Sequence, residues 1–307
     1  MSGHGRLVLP SRSGRRASLL GMRNLLDDIL AAPGYFKQLR CADELVTEYN
    51  CPIKEQMLEL WSHQSYFVFV LEGRKVWHTA DGAVEMNAGD AAFVRKGAGI
   101  VEQSFSRPFC VVIFFISDAF ICETIRSLGK HEQRRAQRTD AMIRLNNSAL
   151  LQGFVQGMLP HFREGVPANQ ELLRLKFREL LLMVAGDHGN AALLEHFCSL
   201  LHDPVHERVR RVMEDNYCFN LELEEYARLA GRSLSAFKRD FKEVFDTAPG
   251  QWLRERRLDR AHTMLSSGNL QVSEVAFQCG FENLSHFSRA YKERFGTSPA
   301  EGRVAKA

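Results

Sequence analysis

Between Leu221 and Pro299 the chain repeats itself, and a self-similarity of that length marks one supersecondary unit used twice. The first copy runs Leu223-Glu224-Glu225-Tyr226-Ala227, then Gly231, Phe237, Arg239, Phe241, Lys242, Phe245, Thr247 and Pro249. The second runs Val272-Ser273-Glu274-Val275-Ala276, then Gly280, Phe287, Arg289, Tyr291, Lys292, Phe295, Thr297 and Pro299. The offset is 49 residues from Ala227 to Ala276 and 50 from Phe237 to Phe287, so one residue has entered the second copy's turn.

Each copy reads as two helices around a glycine. Leu223, Tyr226, Ala227 and Ala230 stand at i, i+3, i+4 and i+7, one face of a helix. Gly231 follows as the stop, where a left-handed residue costs glycine little. Ser233 or Ser235 caps the next helix by accepting a backbone N–H. There Phe237, Phe241 and Val244 form the inward stripe, with Lys238, Arg239 and Lys242 on or beside the opposite face. In the second copy Val275, Ala276 and Cys279 pack, Gly280 stops, and Asn283 or Ser285 caps. Phe287, Tyr291 and Phe295 turn inward, while His286, Arg289 and Lys292 face out. A helix, a short glycine turn and a second helix with a cationic face make a helix-turn-helix, whose second helix fits a DNA major groove. One such copy alone is equally well an ordinary hairpin with solvated charge. Two copies, joined by a helix traced by Trp252, Leu253, Arg256, Leu258, Ala261 and Leu265, are far more specific. Such a helix can hold two reading helices roughly one DNA turn, about 34–36 Å, apart.

The motifs LSAFKRDFKEVFDTAPGQWLRERRLDRAHTML and VSEVAFQCGFENLSHFSRAYKERFGTSPAEGR resemble the DNA-binding domain of the AraC/XylS family of bacterial transcription regulators. The resemblance covers residues 206–302. It implies contacts to bases or phosphates from Ser235, Lys238, Arg239 and Lys242 in the first reading helix, and from Asn283, Ser285, His286 and Arg289 in the second. Arg239 and Arg289 carry the most weight, because arginine takes guanine O6 and N7 in bidentate fashion. Two departures stand out. Asp246 occupies the place where the second copy has the family's Gly296, and Asp240 and Glu243 would repel phosphate from the first reading helix.

The rest of the chain supplies a regulatory part. A length of 307 residues is enough for two domains of ordinary size. Net charge is only +3, but it is unevenly placed. Residues 1–23 carry five Arg and no acid, the middle is acidic, and residues 204–307 hold 17 basic and 15 acidic side chains. DNA binding therefore depends on where cations stand rather than on total charge. Seven scattered cysteines (41, 51, 110, 122, 198, 218 and 279) without a C-x-x-C pattern read as free thiols in a reducing cytoplasm. No run approaches a membrane span, and the N-terminus lacks the apolar core of a secretory signal. Residues 1–22 read as a flexible basic arm.

From Leu45 to Ile116, short apolar or alternating runs are separated by Glu72-Gly73, Asp81-Gly82, Gly89-Asp90 and Lys96-Gly97, the rhythm of a small double-sheet barrel. The order FVLEGRKVWHTADGAVEMNAGDAAFVRKG resembles the cupin-type sensory barrel found at the front of AraC-family proteins. Metal-dependent enzymes of that type need two closely spaced histidines, a glutamate and a later histidine converging on one ion. His63, Glu72 and His78 are the nearest candidates and lack that pattern, so no metal, no cofactor and no catalytic residue is expected. Trp61, Tyr66, Phe69, Trp77 and Phe93 read as barrel core rather than a ligand cage, although a barrel of this kind can still hold a small apolar ligand.

From Ala119 to His202 the chain reads as helices. Stripes at Leu150–Leu159 and Leu172–Val184, and a third helix over Ala192–Leu201, must pack on the barrel or on a second subunit. His202-Asp203-Pro204 is the linker. The fold is therefore α+β: a cupin-like barrel with flanking helices (23–202), then an all-α domain with two helix-turn-helix units (203–307). The function implied is a sequence-specific transcription regulator, an activator by resemblance, acting on double-stranded DNA as a homodimer with RNA polymerase as its target. The helix RELLLMVAGDHGN resembles the branch that switches on type III secretion genes, which implies control by a protein partner. A small-ligand-gated metabolic regulator and a cupin enzyme fused to a DNA-binding module are the alternatives.

Overall fold

The structure, a computed structural model, describes residues 22–50, 56–80, 82–103, 108–129, 140–163, 169–266 and 270–304. Residues 1–21 of the basic arm and Cys51 lie outside the described residues, while Met22, the last residue assigned to the arm, is buried and so belongs to the folded unit. The chain divides into two compact units, Met1–Asp203 and Pro204–Ala307.

The first unit opens with β1 (Arg23–Asn24) and a short helix α1 (Leu25–Ala31), which Asn24 caps by accepting the Asp27 N–H at 3.0 Å. Among the described residues nine strands follow before the next helix: β2 (Lys37–Cys41), β3 (Glu44–Asn50), β4 (Met57–Ser62), β5 (Ser65–Glu72), β6 (Arg74–Thr79), β7 (Gly82–Asn87), β8 (Ala91–Val94), β9 (Gly97–Gln103) and β10 (Cys110–Ile116). A three-residue strand β11 (Met142–Arg144) comes later. They form a five-stranded sheet in the order β1-β4-β9-β6-β7 and a six-stranded sheet in the order β11-β8-β5-β10-β3-β2. Glu72-Gly73, Gly89-Asp90 and Lys96-Gly97 fall at strand junctions, and Thr79 pairs with Gly82 across the β6–β7 hairpin, with Asp81 outside the described residues. Gly73 is obligatory at its turn: it sits at φ +84°, and a Cβ there would lie 2.4 Å from the Pro108 carbonyl oxygen.

The central strands β5 and β10 are buried on both faces, which is why their sequences are continuously apolar rather than alternating. Tyr66, Val68, Val70, Val111, Ile113 and Phe115 face the barrel interior together with Trp77, Met86, Val101 and the α1 residues Leu25 and Ile29. Phe67, Phe69, Phe93, Val112, Phe114 and Ile116 face the other way, into a second core. Phe69 and Phe93 are thus not barrel interior as expected from sequence, because the six-stranded sheet has two apolar faces. The barrel interior is lined by these apolar side chains.

The second core is made by α2 (Asp118–Arg126), α3 (Ala149–Arg163), α4 (Gln170–Gly186) and α5 (Ala191–Leu200). Leu151, Phe154, Val155 and Met158 of α3 and Leu173, Phe177, Leu180 and Leu181 of α4 pack onto the sheet. Each fully buried Phe or Leu stabilises by about 1.5–3 kcal/mol. Leu150, Leu172 and Leu175, of the same stripes, point outward at 71%, 41% and 62% exposure. His63 contacts Asn24 Nδ2 at 3.2 Å and His78 lies 3.0 Å from Glu102, while Glu72 is exposed. Among the described residues no cluster of three or more His, Cys, Asp or Glu could hold a metal ion, and no helix is long and apolar enough to cross a membrane.

The second unit is all helical: α6 (Val205–Asn216), α7 (Leu223–Leu229), α8 (Leu234–Phe245), α9 (Pro249–Ser266), α10 (Val272–Gln278), α11 (Leu284–Phe295) and α12 (Pro299–Val304). The repeat extends further than its sequence motifs. Val209 and Val212 of α6 are buried at the same 49-residue offset from the buried Leu258 and Ala261 of α9. α9 is therefore both the linker and the first helix of a second three-helix unit.

Candidate nucleic-acid interface

α7–α8 and α10–α11 are the two helix-turn-helix units. Both first helices begin with the same reciprocal cap. Glu225 accepts the Glu222 N–H at 2.8 Å, and Glu274 accepts the Gln271 N–H at 2.8 Å. Both end at a left-handed glycine, Gly231 at φ +65° and Gly280 at φ +81°. The second helices are capped by Ser233, which accepts the Ala236 N–H at 3.3 Å, and Asn283, which accepts the His286 N–H at 3.0 Å. This settles the choice that the sequence leaves open at both caps. Ser235 lies 3.3 Å from the Ser233 hydroxyl, and Ser285 plays no part in the cap.

Phe237 and Phe241 of α8, and Phe287 and Tyr291 of α11, are fully buried. Their burial fixes which faces turn outward. Ser235, Lys238, Arg239, Lys242, Asn283, Ser285, His286 and Arg289 are placed by the two second helices and their caps, and none of them is buried. Lys238, Lys242, Arg289 and Lys292 have no ion-pair partner among the described residues. Arg239 leans on Asp240 at 3.5 Å, with its side chain still 67% exposed. Asn283 commits its side-chain oxygen to the cap, which leaves its amide group outward. The His286 ring sits 6.2 Å from that of Phe281.

Two acidic residues of α8 behave differently from the sequence expectation. Asp240 lies between Phe237 and Phe241 on the inner face, 4% exposed, with its carboxylate 2.7 Å from Arg232 Nε. It neutralises an arginine inside the unit instead of repelling phosphate. Glu243 is exposed but pairs with His206 of α6 at 2.9 Å. Asp246 adopts the left-handed cap, φ +52°, that Gly296 adopts at φ +76°. Aspartate tolerates that conformation better than most residues, at a cost.

The arginines of α9 are used internally. Arg256 makes a two-pronged bond to Glu214 of α6 at 3.0 and 2.9 Å, and Asp259 receives Arg294 of α11 at 2.8 Å. Arg257 donates Nε to the Tyr217 carbonyl at 2.6 Å, Nη2 to the Phe219 carbonyl at 2.8 Å and Nη1 to the Gly280 carbonyl at 3.0 Å. Sequence reasoning misses Arg257, although a signal exists: Leu253, Arg257, Ala261 and Leu265 share one face at four-residue spacing, and one of them is charged. The Cys279 thiol, beside this cluster, is pushed up to about 12 by burial and so packs as a neutral thiol.

Two capped helix-turn-helix units with outward cations, preceded in the chain by a two-sheet regulatory unit, define a DNA-binding transcription regulator. Residues 65–196 match the family described as the ExsA N-terminal regulatory domain, and residues 226–304 match a helix-turn-helix domain family. The chain thus carries both domain types, and its relatives are transcription regulators of the AraC family. It is 28% identical over 247 residues to the virulence regulon transcriptional activator VirF of Yersinia enterocolitica, covering 79% of this chain and 90% of that one. It is 27% identical over 240 residues to the HTH-type transcriptional regulator ExsA of Pseudomonas aeruginosa, covering 77% and 85%. Among solved structures, ToxT from Vibrio cholerae aligns over 85% of this chain and 98% of that one, at 13% identity and a TM-score of 0.38.

Proposed function

We propose that the chain activates transcription by placing α8 and α11 in successive major grooves of its operator. Ser235, Lys238, Arg239, Lys242, Asn283, Ser285, His286 and Arg289 make the contacts. The observation that carries this reading is the pair of reading helices whose arginines, Arg239 and Arg289, stand at equivalent positions of a repeated scaffold. Arginine at that place reads guanine, and the neighbouring lysines neutralise phosphate. The test is selection of a duplex from a random-sequence pool by the full chain, followed by titration at fixed salt. Alanine at Arg289 is expected to relax base preference at one half-site.

The N-terminal unit governs that activity, and the chain works in the cytoplasm with RNA polymerase as its target. It acts as a homodimer, for which Leu172 and Leu175, exposed on the first turns of α4, provide apolar surface on an otherwise packed layer. Glutamate at Leu175 is expected to yield monomers in sedimentation. A protein partner supplies the signal, as in regulators of type III secretion. The kinship with VirF and with the ExsA regulatory-domain family supports this reading. A small-molecule signal is the second reading. It is favoured by a groove of about 430 Å³ on the outer side of the six-stranded sheet, where Glu48, Glu72 and Asp90 face Gln152 and Gln156 of α3. A cationic metabolite that raised the melting temperature of the full chain would support it.

A further inference from the structure

One guanidinium touches both helix-turn-helix units. Arg257 stands on α9, the helix they share. Two of its prongs bond the carbonyls of Tyr217 and Phe219, in the α6–α7 connection of the first unit. The third bonds the carbonyl of Gly280, in the turn before the second reading helix. The same two segments also meet directly. A Cβ on Gly280 would come within 2.8 Å of the Cys218 carbonyl oxygen, and Asn220 Nδ2 bonds the Glu282 carboxylate. The second reading turn is thus seated against the first unit's own connection, with Arg257 as the fork between them. Backbone carbonyls left by helix ends need donors, and a planar five-donor group is suited to serving several at once.

We infer that Arg257 sets the distance and rotation between α8 and α11, and so sets the base-pair spacing that the protein accepts between its two half-sites. It is a positioning residue: it touches no DNA, and acts by holding two readers in register. The inference rests on the two-groove reading above. Each base pair inserted between half-sites moves the second groove by about 3.4 Å and turns it by roughly 34°. A rigid pair of readers cannot follow that change, and a loosened pair can.

The experiment measures affinity of the full chain for its selected duplex and for the same duplex with two base pairs inserted between the half-sites. The native protein is expected to lose roughly tenfold or more on insertion, the cost of forfeiting one set of base contacts. Arg257→Gln is expected to bind the native spacing roughly tenfold more weakly, through lower effective concentration of the second reader, and to lose less than about threefold on insertion. Arg257→Lys keeps the charge but not the fork, and is expected to behave like Arg257→Gln. Folded variants that keep the native protein's ratio between the two duplexes overturn the inference and leave two-groove reading intact. A native protein indifferent to the insertion removes the two-groove reading itself. Should circular dichroism show Arg257→Gln unfolded, Asn220→Ala, which removes only the exposed bridge to Glu282, is read in its place against the same two ratios.

Discussion

The two helix-turn-helix units share a scaffold and differ in how they hold it together. At the core of the first, Asp240 is buried against Arg232. At the matching places in the second stand Ala290 and Phe281, both within an apolar cluster with Phe287 and Tyr291. The first reading helix ends on a strained Asp246 and the second on Gly296. Arg239 shares its charge with a neighbouring carboxylate at 3.5 Å, while Arg289 has an alanine beside it. The same geometry is reached once with a buried ion pair and once with hydrocarbon. The lesson is that a repeat keeps shape and outward chemistry more strictly than the means of burial.

The largest effect expected from this comparison is on stability. Arg232→Ala leaves the buried Asp240 carboxylate with only the longer 3.5 Å contact to the exposed Arg239, and should destabilise the helical unit by about 3 kcal/mol. Copying the second unit into the first, with Arg232→Phe and Asp240→Ala together, should recover most of that loss. Thermal denaturation of the full chain followed by circular dichroism checks both. If the double variant is as unstable as the single one, the two cores are not interchangeable.

Next come the readers. Arg289→Ala should cost about 1–3 kcal/mol of specific affinity, and Arg239→Ala less, because Arg239 already spends part of its charge on Asp240. Titration on the selected duplex at fixed salt compares them, and equal losses would remove the distinction. Smaller still is the cap. Asp246→Gly should stabilise by roughly 0.5–1 kcal/mol, since it relieves a left-handed non-glycine residue and removes a negative charge from a helix C-terminus. Gly296→Asp should do the reverse, and the same thermal denaturation reads both. Last, Lys242→Ala and Lys292→Ala should each lower the salt dependence of binding by about one unit of slope, if each meets one phosphate.

Much of this arrangement is legible in the sequence because it depends on local rules. Glycines at 231 and 280, apolar stripes at helical spacing and a 49-residue echo specify two helix-turn-helix units without any tertiary knowledge. The strand junctions of the first unit are legible for the same reason, from turn residues. What is not legible depends on long-range packing. Asp240 is acidic, yet it faces inward because Arg232 waits there. Phe69 and Phe93 belong to strands, yet they serve the helix-side core because that sheet is covered on both faces. The helices α1 and α6 escape sequence reasoning differently. α1 has only seven residues, and the charged run of α6 hides the spacing of Val209, Val212 and Met213.

The central claim is that both units read DNA at once, and guanine-N7 methylation interference on the selected duplex tests it most directly. The account predicts two clusters of interfering guanines about 10–10.5 base pairs apart, one lost in Arg239→Ala and the other in Arg289→Ala. A single cluster, or two clusters that survive both substitutions, would contradict it.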